Sequence, residues 1–288
     1  MFVLGHLVCG HESRTFPDLA LDEGEEGLAA LLPDMISCHD WGYHRAWRLV
    51  GADRQADLIV AHMIGDAVVH FGDRWRGDHR KRGWAYRRMG LVTRRYDEFF
   101  THAEHAGWRP AGRTRDSRRG WAHTLVEYSI DQWLADRRDL TRAFLAVGAA
   151  ARQTERKMSW LLDLVASHAI EPSKPLATQP LRYCGALARA RTPDEFHLRG
   201  LALKFGLRED AEVLDWLRGW LRAIWQAVGE EEMRQVLRDL VAALADPVGH
   251  NYPLEIAAAA KLGGPPASRW SGLSTVAGGT GERGADEP

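Results

Sequence analysis

Apolar positions recur along this chain at the spacing of helix faces. Ala, Leu and Trp return every three or four residues with Arg and Glu between them, and no stretch shows the two-residue alternation of a half-buried strand. The pattern predicts an all-α fold with helices over 24–32, 41–50, 52–71, 84–105, 121–137, 140–168, 196–205, 211–229 and 231–245. Pro172, Pro175 and Pro180 fall in a short polar stretch, so 171–180 reads as a connection. It separates a site-bearing region, 1–170, from a second helical region, 181–262, which can belong to the same domain. From 263 onward the chain is rich in Gly, Pro and Ser without periodicity and reads as a disordered tail.

Two of these helices carry an unusual polar stripe. In AHMIGDAVVHFG, His62, Asp66 and His70 stand at i, i+4 and i+8, which places them within an arc of roughly 80° on one helix face. Leu58, Ile59, Val60, Met63, Ile64, Val68, Val69 and Phe71 surround that stripe, so the helix is apolar nearly all round and predicts burial. A buried carboxylate costs several kcal/mol unless it is paired or bound to a cation. WAHTLVEYSIDQWL repeats the arrangement with His123, Glu127 and Asp131 among Trp121, Leu125, Val126, Ile130, Trp133 and Leu134. Neither stripe contains a lysine or arginine. The economical solution packs the two stripes together around divalent cations, and imidazole and carboxylate donors without thiolate suit Zn, Fe or Mn.

These motifs resemble the zinc-dependent phospholipase C family, which shares its fold and metal cluster with fungal single-strand-specific nucleases. HMIGDAVVH matches the family's H-x3-D-x3-H helix and HTLVEYSID its H-x3-E helix. LPDM, residues 32–35, matches an upstream aspartate, and GHLV an N-terminal histidine. The resemblance covers residues 1–135. It implies a multi-helix bundle of that type with additional C-terminal helices, and two or three Zn2+ ions. Carried over residue by residue, it implies that Asp66 bridges two ions, with His62 on one and His6 on the other. His70, His123 and Glu127 would hold a third. Asp34 would be a ligand and the general base that takes the proton from the attacking water. His39 or His44 could supply a further histidine of the family, and Asp131 stands as an additional ligand or a residue behind the ligands. Secreted relatives bind zinc through a mature N-terminal tryptophan, which this chain lacks at its start, so a two-ion site is the alternative.

The resemblance implies a metal-dependent phosphoesterase acting on an anionic phosphodiester by a metal-activated water. Phospholipid stands ahead of nucleic acid as substrate. Two basic runs flank the metal helices, and Arg74, Arg76, Arg118 and Arg119 are the candidates for binding phosphate. The ordinary reading of such runs is a solvated helix face. Interleaved Trp75, Trp84 and Tyr86 could stack on bases but equally fit helix packing. His102, His105, His197 and His250 read as residues outside the site.

Three other readings stay open. His39-Asp40 is a doublet of the kind used by an all-helical HD-type phosphohydrolase class, with His11 and Asp131 to complete it. A carboxylate-bridged di-iron oxidase would use paired helices in a bundle, although its Glu-x-x-His spacing is i+3 rather than the i+4 found here. The last is a non-catalytic, metal-stabilised interaction domain with partner contacts on 181–261.

Composition narrows the setting. In 288 residues, 45% hydrophobic, there is enough apolar material for a sizeable core. Lys and Arg total 38 against 39 acidic residues, so the net charge of −1 gives no global attraction to a polyanion. Cys9, Cys38 and Cys184 form no CxxC pair, which fits a reducing compartment. The start has no basic n-region before its short apolar run, and no apolar stretch reaches the eighteen or so residues of a spanning helix. The expectation is a cytoplasmic protein without a transmembrane segment.

Overall fold

A computed structural model describes residues 24–38, 45–49, 52–71, 83–93, 95–110, 115–156, 159–172 and 179–245. Among the described residues there are eleven α-helices, one short 3-10 turn at Ala46–Leu49, and no strand, so the fold is all-α. The helices are α1 (Gly24–Ile36), α2 (Arg54–Phe71), α3 (Trp84–Thr93), α4 (Tyr96–His105), α5 (Arg115–Arg137) and α6 (Thr141–Arg156). They continue with α7 (Ser159–Ser167), α8 (Gln179–Arg189), α9 (Pro193–Phe205), α10 (Ala211–Val228) and α11 (Glu230–Ala245).

Several boundaries differ from the pattern-based expectation. The first helix does not stop at Pro33: it continues to Ile36, where Ser37 adopts a left-handed φ of 54° and the Cys38 amide donates back to the Pro33 carbonyl at 3.2 Å. Asp34 therefore sits on a helix. The stretch 84–105 is two helices, α3 and α4, joined where the Arg95 amide bonds the Val92 carbonyl at 2.9 Å. No Gly or Pro marks that turn. Likewise 140–168 forms α6 and α7. Helix α8 occupies a stretch assigned to the connection and its sequel, because Pro180 falls in its first turn, where a helix needs no amide proton. Helix α9 starts earlier than expected. Thr192 caps it by accepting from the Glu195 amide at 3.1 Å, Pro193 opens the first turn, and Gly206 at φ 66° closes the end. Of the predicted 41–50 helix, the described residues are Arg45, which is helical, and the 3-10 turn Ala46–Leu49.

The two polar-striped helices are central. Helix α1 packs on α2 and α6, and α6 on α8. Helix α5 packs on α3, α9 and α10, while α11 closes over α2. One continuous apolar cluster runs from Leu28 to Leu244 and includes Leu58, Ile59, Val60, Met63 and Ile64 of α2, with Leu125, Val126, Ile130 and Leu134 of α5. Each such aliphatic side chain contributes about 2 kcal/mol on burial. That apolar surround offsets the cost of carrying acids and imidazoles inward. Among the described residues, no helix is long and apolar enough to cross a membrane.

Candidate metal centre

The polar stripe of α2 is buried at His62 and Asp66, partly exposed at His70, and runs past two separate groups of residues. At the C-terminal end of α2, His70 reaches across to α5, where its Nε2–H donates to Glu127 Oε1. His123, one turn before Glu127, places its Nε2 4.0 Å from the same oxygen. One ligand-capable atom from each of His70, His123 and Glu127 lies within 4.8 Å of the others, an arrangement that can hold a metal ion. Among the described residues no other trio converges in this way. Glu127 is buried, whereas the His70 and His123 side chains keep 14% and 18% of their surface exposed. Solvent therefore reaches part of each imidazole side chain but not the carboxylate.

Charge is distributed to suit that role. Burial pushes the His123 imidazole down to about 4, against the opposing pull of Glu127, so the ring is neutral and offers a lone pair near neutral pH. Burial works against ionising Glu127, yet its carboxyl is held well below the usual range, the His70 hydrogen bond being one of the contacts that favour the anion. The group is thus a carboxylate flanked by two imidazoles.

The second group lies earlier on α2. His62 Nδ1–H donates to the Ala30 carbonyl of α1 at 2.6 Å, and its Nε2 lies 3.7 Å from Asp66 Oδ2. That backbone bond places a proton on Nδ1, because a carbonyl can only accept, and leaves Nε2 on the side of the aspartate. Asp34, His62 and Asp66 are all buried. Burial first, then Asp34 and Asp66, push the Cys38 thiol up to about 12, so Cys38 is a neutral neighbour of these acids. Burial, and after it Asp34 and Asp131, likewise hold the Tyr128 and Tyr183 hydroxyls well above their ordinary range. Asp131 is fully buried towards Tyr183 of α8. Arg137, further along α5, pairs with Glu230 at 3.3 Å and lies over the Trp225 ring.

The predicted residues thus divide. His70, His123 and Glu127 come together, while His62, Asp66 and Asp34 occupy the neighbouring buried region of α1 and α2. His6, His39, His44, Arg74 and Arg76 lie outside the described residues, as do the side chains of Arg118 and Arg119 on the first turns of α5. Among the histidines set aside, His197 is a core residue, buried and bonded to Gln132, while His102 and His105 lie on the exposed side of α4.

Two residues of the site carried no clear sequence signal. Tyr86 of α3 stacks on His123 with ring centroids 4.7 Å apart and meets His70 edge-on at 5.9 Å. Gly83, just before α3, donates its amide to the His70 carbonyl at 2.7 Å. A Cβ at Gly83 would stand 2.1 Å from the Val69 carbonyl oxygen and 2.3 Å from the His70 carbonyl carbon. Only glycine permits that approach of α3 to the end of α2.

No protein-family model, no curated protein and no solved structure matches this chain. The functional reading rests on the geometry and on the sequence motifs.

Proposed function

We propose that the chain is a zinc-dependent phosphoesterase that hydrolyses a phosphodiester with a metal-activated water. The observation that carries the reading is the convergence of His70, His123 and Glu127 within 4.8 Å. Two imidazoles and one carboxylate form a three-ligand set of the kind catalytic zinc sites use, with a further position open, whereas structural sites are closed by four protein ligands. Both imidazole side chains are partly exposed, so the group is not sealed from solvent.

A divalent cation bound there lowers the pKa of water towards neutrality and stabilises charge gathering on phosphoryl oxygens. The chain's own contributions are positional. Glu127 and the two imidazoles fix the cation, and the apolar faces of α2 and α5 exclude bulk water behind it. His62 and Asp66, oriented through Ala30, offer donors for a second ion, and Asp34 is the residue assigned to accept the proton of the attacking water. Selection of phosphodiesters, with phospholipids ahead of nucleotides, rests on the motif resemblance. A di-iron oxidase is less well served, since the converging trio brings one carboxylate rather than a bridging set.

The test is hydrolysis of bis(p-nitrophenyl) phosphate by the full chain. Activity should disappear on dialysis against a chelator and return with Zn2+. A zinc-replete, folded chain that hydrolyses neither this ester nor a phospholipid, yet unfolds on chelation, would show that the metal is structural.

A further inference from the structure

We infer that Tyr86 is a positioning residue of the metal centre, holding the His123 ring by stacking where a ligand histidine is ordinarily held by a hydrogen bond. The inference rests on the metal reading above. A ligating imidazole usually donates its second ring N–H to a carbonyl or carboxylate, which fixes its plane and tautomer. His62 follows that rule through Ala30. His123 does not: its Nδ1 is buried and has no hydrogen-bond partner among the described residues.

What His123 has instead is an aromatic neighbour. The Tyr86 and His123 rings lie 12° from parallel with centroids 4.7 Å apart, in face-to-face contact. The same tyrosine meets His70 at an interplanar angle of 63°, and His70 meets His123 at 70°. One side chain therefore touches both imidazoles that flank Glu127. Stacking restricts the tilt of the His123 plane and leaves its edge directed at Glu127.

Tyr86 is itself held from behind. Trp84 Nε1–H and Arg88 Nε–H donate to Glu232 Oε1 at 2.9 and 2.6 Å, and Arg88 Nη2 donates to Glu232 Oε2. Residues 84 and 88 stand one turn apart on a single face of α3, and Tyr86, midway between them, projects from the other side. Glu232 belongs to α11, so the C-terminal helix sets the position of the tyrosine and, through it, of His123. This assigns a role in the site to the second helical region.

The test compares full-length wild type with Tyr86→Leu, Tyr86→Phe and Glu232→Ala. In the metal-free wild type, NMR should show the His123 ring protons shifted upfield by the overlying ring. The shift should persist in Tyr86→Phe and vanish in Tyr86→Leu. Co2+ affinity should fall about 10-fold in Tyr86→Leu with an altered visible absorption band, and stay unchanged in Tyr86→Phe. Glu232→Ala, which leaves every residue of the site in place, should move both readouts in the same direction by less. Wild-type His123 shifts, or wild-type Co2+ affinity and spectrum, in Tyr86→Leu would overturn the inference. Should that variant not fold, the same result in Glu232→Ala would do so. A wild type that takes up no Co2+ would remove the metal reading alone, because the ring shifts still decide whether Tyr86 holds His123.

Discussion

Helix α5 carries two polar sites little more than one turn apart, one around the buried Glu127 and one part-buried, and they neutralise their acids by different means. Towards its C-terminus, Gln132 donates to Asp136 at 3.0 Å and to Asp194 at 2.7 Å, and accepts from His197 at 3.2 Å. Arg218 then closes on Asp194 at 2.7 Å, while Arg222 and Trp225 close on Asp136 at 2.6 and 3.3 Å. Burial opposes the charge on Asp136, but the bonds from Arg222 and Gln132 hold its carboxyl below the usual range. Towards the N-terminus, Glu127 faces two imidazoles instead. A guanidinium keeps its protons at all relevant pH and fills the space it bonds across, so the Asp136–Asp194 site is complete as protein. An imidazole can surrender its proton and present a lone pair, so the Glu127 site can exchange protons for a cation. The choice between Arg and His separates a strut from a ligand set.

The largest way to break this contrast is Gly83→Val. The added atoms would meet backbone rather than movable side chains, so α3 must leave the end of α2. A loss of about 3 kcal/mol or more is expected in denaturant unfolding, together with loss of metal at the Glu127 site. A variant of wild-type stability would show that α3 does not need this contact.

Acid sharpens the contrast from the other end. Burial lowers His197 to about 4, with Asp194 opposing, while in the unfolded chain the ring titrates near 6.5. As pH falls through 6.5 the unfolded state takes up the proton first. The stability contributed by neutral His197 is therefore complete above 6.5 and is lost progressively down to 4, by up to about 3 kcal/mol. In His197→Gln the loss between pH 6.5 and 4 should be smaller by that order, measured by urea unfolding at each pH. An unchanged slope would mean that His197 is not held neutral by the fold.

The smallest effect belongs to Arg222→Ala. Arg222 is half-exposed and Asp136 keeps Gln132 and Trp225, so the expected cost is about 1 kcal/mol. Metal content should not change. Should it fall, the two sites on α5 are coupled rather than independent.

The fold class and the inward stripe of α2 were legible because i, i+4, i+8 spacing on an apolar helix has one geometric meaning. The structure keeps His62 and Asp66 together at 3.7 Å. Spacing along one helix cannot by itself say which part of its stripe another helix meets; the grouping of His70 with His123 and Glu127 was implied by the motif resemblance, and these three residues converge. Tyr86 was hidden for a related reason. Its contacts come from α3 packing beside both α2 and α5, and nothing in WAYRRMG distinguishes a packed tyrosine from one stacked on an imidazole. Gly83 gave no local signal either, since its need is for space against α2 rather than for a special φ. Helix α8 was missed because Pro180 was read as a breaker, although a first-turn proline breaks nothing.

The claim that His70, His123 and Glu127 hold a divalent cation is tested most directly by the zinc content of the purified full chain beside Glu127→Gln, measured by elemental analysis after equilibration with limiting Zn2+. The account predicts at least one tightly held ion per wild-type chain, and a fall of about 100-fold in affinity for the site when the carboxylate becomes an amide. A folded wild type with no bound zinc, or a Glu127→Gln chain that retains the full complement, would contradict it.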